Sequence, residues 1–293
     1  MRIKYLDETY LEASISLMAK YNKEKCYQIG YCAVPADSIR KDLVESLKDE
    51  ENKLIGVIEE GVLVGVIDLD IDSKKKTIDM VGPFIEKQEE EEWLAIGKEL
   101  FDFIFKEFDS DYEYLFFIHQ ENKIGKKLLE NIQVELRGDE YVLKIERDGI
   151  KPGLIDDTGI ISIDTEQYEE VITLHDGIWP GVYYSGQELI EQLDKNHQIF
   201  SAKNKEEIEG YIFVEKEVER GYVHFLAVKE PYRGAGIGRK LLNKALKWAF
   251  ANNNIKKLSL CVEVENEKAL ILYYNLGFKV ENAYTAYKLQ MNG

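Results

Sequence analysis

Apolar and polar residues along this chain alternate in short runs of period two, broken by stretches in which apolar residues return every fourth position. The first pattern marks half-buried strands and the second amphipathic helices. In the first half, VLVGVIDLD (62–70), TIDMV (77–81) and YLFFIHQE (114–121) read as strands. In the second, EIEGYIFVE (207–215), YVHFLAV (222–228) and LSLCVEVE (258–265) read the same way. A long helix is predicted from about Gly236 to Phe250, with Ile237, Leu241, Ala245 and Ala249 on one face, stopped by Asn252-Asn253-Asn254.

The order of elements repeats. Gly65, Val81 and Asn122 recur as Gly210, Val228 and Asn266, displaced by about 145 residues, one domain's worth rather than a solenoid period. Each copy is expected to contain helical segments, two strands, a third strand, a long helix, a fourth strand, a short helix and a final strand pair. Strands separated by helices of this length need crossover connections, so the fold class is α/β with a mixed (α+β) sheet in two tandem domains. The boundaries fall at 1–147 for the first copy, 148–157 for a Gly/Pro/Asp linker and 158–293 for the second.

Composition narrows the function classes. The 293 residues carry a formal charge of −17, with 45% hydrophobic and 11% aromatic residues, a globular rather than a solvating mixture. Such an excess of acid argues against a nucleic-acid-binding surface and suits cationic partners. Cys26, Cys32 and Cys261 are too few for a disulfide framework, and no Cys/His cluster has metal-binding spacing. No apolar run is long enough for export or membrane spanning, so a cytoplasmic protein, monomeric or homodimeric, is expected. The charge is unevenly divided, about −12 up to residue 153 and −5 after it, which directs an anion site to the second half.

That site is predicted in HFLAVKEPYRGAGIGRKLL (224–242), where Arg233-Gly234-Ala235-Gly236-Ile237-Gly238-Arg239 leads from a strand into the long helix. Glycines let main-chain N–H groups converge and an anion approach closely. The helix N-terminus and two arginines add positive potential. A Walker A loop would need Lys-Ser/Thr after its glycines, and a Rossmann fingerprint a different spacing. The arrangement R-x-x-G-x-G after a strand ending in Ala-Val resembles instead the acyl-coenzyme A loop of the GNAT acetyltransferases. Downstream, Asn266, Ala269, Leu272, Tyr273, Gly277 and Phe278 match that family's N-x-x-A-x-x-L-Y-x-x-x-G-F signature. The resemblance covers about 158–293, and YTAYKLQM looks like the family's closing hairpin.

The resemblance implies acetyl-CoA as co-substrate and a small-molecule primary amine as acceptor. The main chain of Leu226, Ala227 and Val228 would bind the pantetheine arm, with an N–H at Ala227 or Val228 near the thioester carbonyl. The amides from Gly234 to Arg239 would hold the pyrophosphate. Tyr273 would be the general acid, although Ala269, Leu272, Tyr273 and Leu276 also make a plain amphipathic stripe. Asn266 would contact the coenzyme, cap its helix, or do both. The general base stays open: the family's carboxylate position reads Tyr222, His224 lies two residues on, and Glu217, Glu219 and Glu263 remain as water-mediated candidates. Cys261 reads as a structural thiol. In HDGIWPGVYYSG (175–186), Asp176, Trp179, Tyr183 and Tyr184 are the acceptor-binding candidates, by charge and aromatic faces.

In the first copy, Gly82-Pro83-Phe84-Ile85-Glu86-Lys87-Gln88 and then Glu89 to Glu92 follow Val81. Four carboxylates in place of a glycine cradle would repel a pyrophosphate, and no L-Y or G-F follows Asn122. This half is expected to be degenerate and unable to bind acetyl-CoA, an arrangement found among tandem members of the family. The rival readings are an acyl-CoA-binding sensor or scaffold without turnover, and a protein lysine or N-terminal acetyltransferase.

Overall fold

A computed structural model describes residues 1–108, 111–150, 156–205 and 207–291. The elements in chain order are β1 (Arg2–Tyr5), α1 (Leu11–Asn22), α2 (Ala36–Ser46), β2 (Lys53–Glu59), β3 (Val62–Asp72), β4 (Thr77–Ile85), α3 (Glu90–Glu107), β5 (Glu113–His119), α4 (Lys123–Glu130) and β6 (Glu135–Glu146). There follow β7 (Ile160–Ser162), α5 (Tyr168–Ile178), α6 (Gly186–Glu191), β8 (His197–Lys203), β9 (Ile208–Glu217), β10 (Arg220–Val228), α7 (Ile237–Ala251), β11 (Lys257–Glu263), α8 (Glu267–Leu276) and β12 (Lys279–Gln290).

Two compact units result. The first comprises Met1–Glu140 with Ala283–Gly293, the second Tyr141–Asn282. In the first, strands follow the order β1-β2-β3-β4-β5-β12; in the second, β7-β8-β9-β10-β11-β6. The pairing repeats as well, with β4–β5 and β10–β11 parallel and the hairpins β2–β3–β4 and β8–β9–β10 antiparallel. The α/β repeat expected from the landmarks is therefore present.

Three features differ from the expectation. The last strand of each copy is a single long strand, not a hairpin, and YTAYKLQM lies in β12, where Tyr284–Gln290 pair with His119–Glu113 of β5. An apolar alternating run pairs equally well with any free edge, so its local pattern did not say which sheet it joins. The units consequently divide at Glu140 and Asn282 rather than at the expected 147 and 158. Arg147, drawn above as the end of the first copy, lies in the second unit, where its guanidinium donates to the carbonyls of Phe250, Asn252 and Ile255 at 2.7, 2.6 and 3.0 Å and closes the C-terminal end of α7. Of the expected linker, residues 151–155 lie outside the described residues.

The third difference concerns the loop after the third strand. Gly210 stands opposite Val228, but Gly65 stands opposite Ile85 and not Val81. The counterpart of Val228 is thus Ile85, and Gly82–Ile85 finish a strand rather than begin a loop. Eight residues, 229–236, join β10 to α7, whereas only four, 86–89, join β4 to α3.

In the second unit the core has two parts. Leu241, Leu242, Ala245, Leu246 and Ala249 of α7 pack with Tyr273 and Leu276 of α8 on one side. On the other, Val171, Leu189, Phe213, Phe225 and Ala227 pack with α5 and α6. β10 serves both because its register with β9 slips between Val223 and Phe225, a bulge at His224.

Candidate active site

β10 and β11 are paired from Arg220↔Lys257 only as far as Val223↔Leu260, and then part. Leu226, Ala227 and Val228 keep their ladder to Ile212, Tyr211 and Gly210, so one edge of this strand end faces the gap toward β11. At the mouth the chain makes a 3-10 turn at Glu230–Tyr232 and enters α7 through Gly234 and Gly236, both at φ +83°. A Cβ at either glycine would meet nothing within 4 Å, so these positions are glycines for their left-handed backbone and for open access from outside. Gly236 is the N-cap and offers no side chain to α7, so the first-turn N–H groups point outward uncapped. Ala235 and Arg239 are exposed beside them, Gly238 is half-buried and Ile237 is anchored in the core. Arg233 Nε donates to the Val228 carbonyl at 3.0 Å, which holds the guanidinium at the strand end. A cleft of about 800 Å³ opens alongside, with Leu174, Ile178, Lys229, Pro231 and Arg233 among its walls.

On the far side of the gap, Asn266 caps α8 by accepting from the Ala269 N–H at 3.2 Å. Tyr273 lies one turn further on and is 7% exposed. Burial first, and then the neighbouring Cys261, push its phenol up to about 12, so the hydroxyl keeps its proton at neutral pH. Cys261 itself is half-buried in β11.

The acceptor-side candidates gather around the bulge. His224 Nε2 lies 2.8 Å from Glu215 Oε2 and its Nδ1 3.2 Å from the Tyr183 hydroxyl. A carboxylate accepts only, so Nε2–H donates to Glu215 and Nδ1 accepts from Tyr183. The hydrogen bond from His224, then the charges of His224 and His197, hold the Glu215 carboxyl below the usual carboxylate range against its burial. Tyr183 stacks on Phe225 and Tyr184 stands 5.9 Å from the His224 ring. Trp179 packs against Phe225 and His175, and Asp176 Oδ1 accepts from the Gly186 N–H at 2.7 Å, which places it in loop closure. Glu217 pairs with Arg220 and Glu219 with Lys256, while Glu263 is exposed at the end of β11.

Three residues escaped the sequence reading. Glu215 is opposite Tyr222 across the tight β9–β10 turn, and counting back across that turn would have found it. His175 is fully buried, with Nε2 donating to the Tyr184 carbonyl at 2.7 Å and Nδ1 accepting from Tyr211 at 2.5 Å. Burial lowers its pKa, and it braces the loop that carries Tyr183 and Tyr184. His197 stands opposite Glu215 on β8. Among the described residues there is no His/Cys/Asp/Glu group able to hold a metal and no helix long and apolar enough to cross a membrane.

Residues 167–278 match the model of the Acetyltransferase (GNAT) family. By sequence, the chain is 41% identical over 63 residues to N-alpha-acetyltransferase MAK3 of Arabidopsis thaliana, covering 22% of this chain and 33% of that protein. It is 36% identical over 81 residues to spermidine N(1)-acetyltransferase of Vibrio cholerae, covering 26% and 46%. The chain thus spans less than half the length of either relative. By structure, it resembles a GCN5-related N-acetyltransferase from Sphaerobacter thermophilus (TM-score 0.75, 15% identity, covering 100% of this chain and 96% of that one). It also resembles a tandem GNAT protein from the clavulanic acid biosynthesis pathway (TM-score 0.68, 12% identity, 100% and 99% covered). These two likenesses span the whole chain and establish the tandem fold.

Proposed function

We propose that this chain, whose residues 167–278 match the model of the Acetyltransferase (GNAT) family, is an acetyl-CoA-dependent N-acetyltransferase whose second unit does the chemistry on a small cationic primary amine. One observation carries the reading: a parted parallel strand pair whose mouth is an uncapped helix N-terminus with two left-handed glycines. This suits a pyrophosphate at Gly234–Arg239 and an extended pantetheine arm along Leu226–Val228. Acetyl-CoA, once bound, supplies the activated thioester.

The chain's own groups supply the rest. Freeing the lone pair of an alkylammonium at neutral pH costs roughly 4 to 5 kcal/mol, and His224, backed by Glu215, is the group positioned to receive that proton. Orientation of amine and thioester lowers the barrier by roughly 7 to 11 kcal/mol. Tyr273, protonated across the physiological range, gives its proton to the departing thiolate. Tyr183, Tyr184 and Trp179 present aromatic faces beside the Glu215 carboxylate, a setting that favours an ammonium.

The first unit we assign a scaffolding role. Its β4–α3 loop is four residues long, has no glycine, and runs into Glu90, Glu91 and Glu92 in the first turn of α3. With none of the three cysteines in a disulfide among the described residues, the proposed setting is the reducing cytoplasm, with no nucleic-acid partner and the chain a monomer or homodimer.

The test is thiol release from acetyl-CoA by the full chain over spermidine, other primary amines and a Met-initiated peptide. Turnover with small polycations is expected. A preference for the peptide would move the acceptor to protein N-termini, and binding of acetyl-CoA without release would make the chain a sensor.

A further inference from the structure

We infer that the proton taken from the acceptor amine leaves the second unit along a line of side chains, Tyr183, His224, Glu215 and His197, that ends at Asp194. The inference rests on the transferase reading above and adds a path, and two positioning residues, to it.

The line is built by strand register. His197 of β8 stands directly opposite Glu215 of β9, and Glu215 opposite Tyr222 of β10. Cross-strand neighbours share a face. The bulge at His224 allows His224 and Phe225 both to approach Phe213 on that face. The successive separations are 3.2 Å from Tyr183 Oη to His224 Nδ1 and 2.8 Å from His224 Nε2 to Glu215 Oε2. Glu215 Oε1 is then 3.7 Å from His197 Nε2, within ion-pair distance, and His197 Nδ1 is 2.8 Å from Asp194 Oδ1. Tyr183 is 51% exposed at one end of the line and the Asp194 side chain 50% at the other, with His224 at 14% and Glu215 and His197 at 26% between them, so the line joins the acceptor side to solvent through its least exposed groups. The other titratable groups facing this line include Glu217 and Tyr211 on β9, Tyr222 on β10, Tyr184 on the acceptor loop and Cys261 on β11.

The proton balance follows. An ammonium N–H proton passes to Tyr183 Oη as that hydroxyl gives its own to His224 Nδ1. His224 releases its Nε2 proton to Glu215, and Glu215 hands it through water to His197, which loses it to solvent beside Asp194. The amine nitrogen then bonds to the thioester carbon, the C–S bond breaks, and Tyr273 protonates the sulfur. A second amine proton restores Tyr273 through water. The net reaction converts ammonium and thioester to amide, thiol and one proton in solution.

The chain has four histidines, His119, His175, His197 and His224, so one imidazole NMR titration of the full protein follows each of them. In Glu215→Gln the His224 and His197 imidazole resonances are expected to move, and in His197→Gln those of His224, as the contacts between these groups are lost. With a turned-over amine, kcat/KM at neutral pH is expected to drop about 100-fold in Glu215→Gln and about tenfold in His197→Gln, acetyl-CoA Kd unchanged, with the alkaline recovery of both variants displaced to higher pH. Glu215→Asp should restore part of the loss. A His197→Gln protein that leaves both the His224 resonances and the pH–rate profile unmoved overturns the path, and the unchanged acetyl-CoA Kd shows that the variant is folded. Failure of the wild type to release thiol with any amine overturns the transferase reading instead, and the NMR couplings then judge the line of groups by themselves.

Discussion

In the first unit the parallel pair β4–β5 is joined from Thr77↔Glu113 to Asp79↔Leu115; in the second, β10–β11 is joined from Arg220↔Lys257 to Val223↔Leu260; both pairs then part. The sheets have the same order, and the short helix beyond each gap is capped by an asparagine, Asn122 and Asn266. What fills the gaps differs. In the first unit Ile29 bridges Ile118 of β5, with Gly30 N–H donating to the Phe117 carbonyl at 2.6 Å and His119 N–H to the Gln28 carbonyl at 3.1 Å. The opposite edge of Ile118 is taken by Thr285 of β12, so Gln28–Gly30 lies on the side where β4 has departed. Buried Asn22 holds this segment by accepting from Ile29 N–H at 2.7 Å and donating to the Cys32 carbonyl at 2.9 Å. In the second unit no main-chain bridge from outside the strands reaches β11 among the described residues. The comparison teaches that parting two strands creates backbone groups that must find partners. One unit leaves its gap open among the described residues, and the other fills it with its own chain.

The largest effect expected from breaking this contrast is at the mouth of the open gap. Gly234→Val with Gly236→Val puts β-branched side chains at φ +83°, which costs about 1–3 kcal/mol each in strain and screens the first-turn N–H groups. Acetyl-CoA affinity by calorimetry should fall about 100-fold or more, or about 2.7 kcal/mol. Next, Tyr273→Phe should reduce kcat by about 100-fold with Kd intact; unchanged turnover removes Tyr273 from the acid role. A smaller effect is expected in the filled gap. A Cβ on Gly30 would sit 2.1 Å from Phe117 Cδ1, so Gly30→Ala should destabilise the first unit by about 1–3 kcal/mol. Binding should stay at one acetyl-CoA per chain at unaltered affinity, and a second bound equivalent would refute the scaffolding assignment.

A further effect separates the units by pH. Asp68 is buried and Asp79 half-buried in the first unit, and desolvation raises both carboxyls to about 7, with Asp70 adding its charge. Between about pH 4 and 7 the folded unit holds protons that the unfolded chain has released. The unfolded state binds fewer protons there, so stability falls as pH rises, by at most about 1.4 kcal/mol per pH unit for each group. Urea melts of the first unit's signal should show this slope, and Asp68→Asn should flatten it.

The strands, α7 and the glycine cradle were legible because each is written in a few adjacent residues: alternation, a fourfold apolar return, and left-handed positions that only glycine fills cheaply. Asn266 was legible as a cap for the same reason. Glu215, His197 and the Gln28–Gly30 segment were not, since each acquires its meaning from register with a strand that is distant in sequence. Val81 misled because β4 continues through Gly82 and Pro83, residues that ordinarily announce a loop. The closing hairpin misled because β12 has the right local pattern and a different neighbour.

That neighbour has a consequence for how the molecule is made. Translation delivers β1 to β5 early, but the strand that covers β5 comes from residues 284–290, after every residue of the second unit has emerged. The half synthesised first is therefore the half completed last. In the interval β5 keeps a bare edge, the feature on which nascent chains pair wrongly with one another. A ribosome that stops at Asn282 would release a finished second unit attached to a first unit that has no way to close.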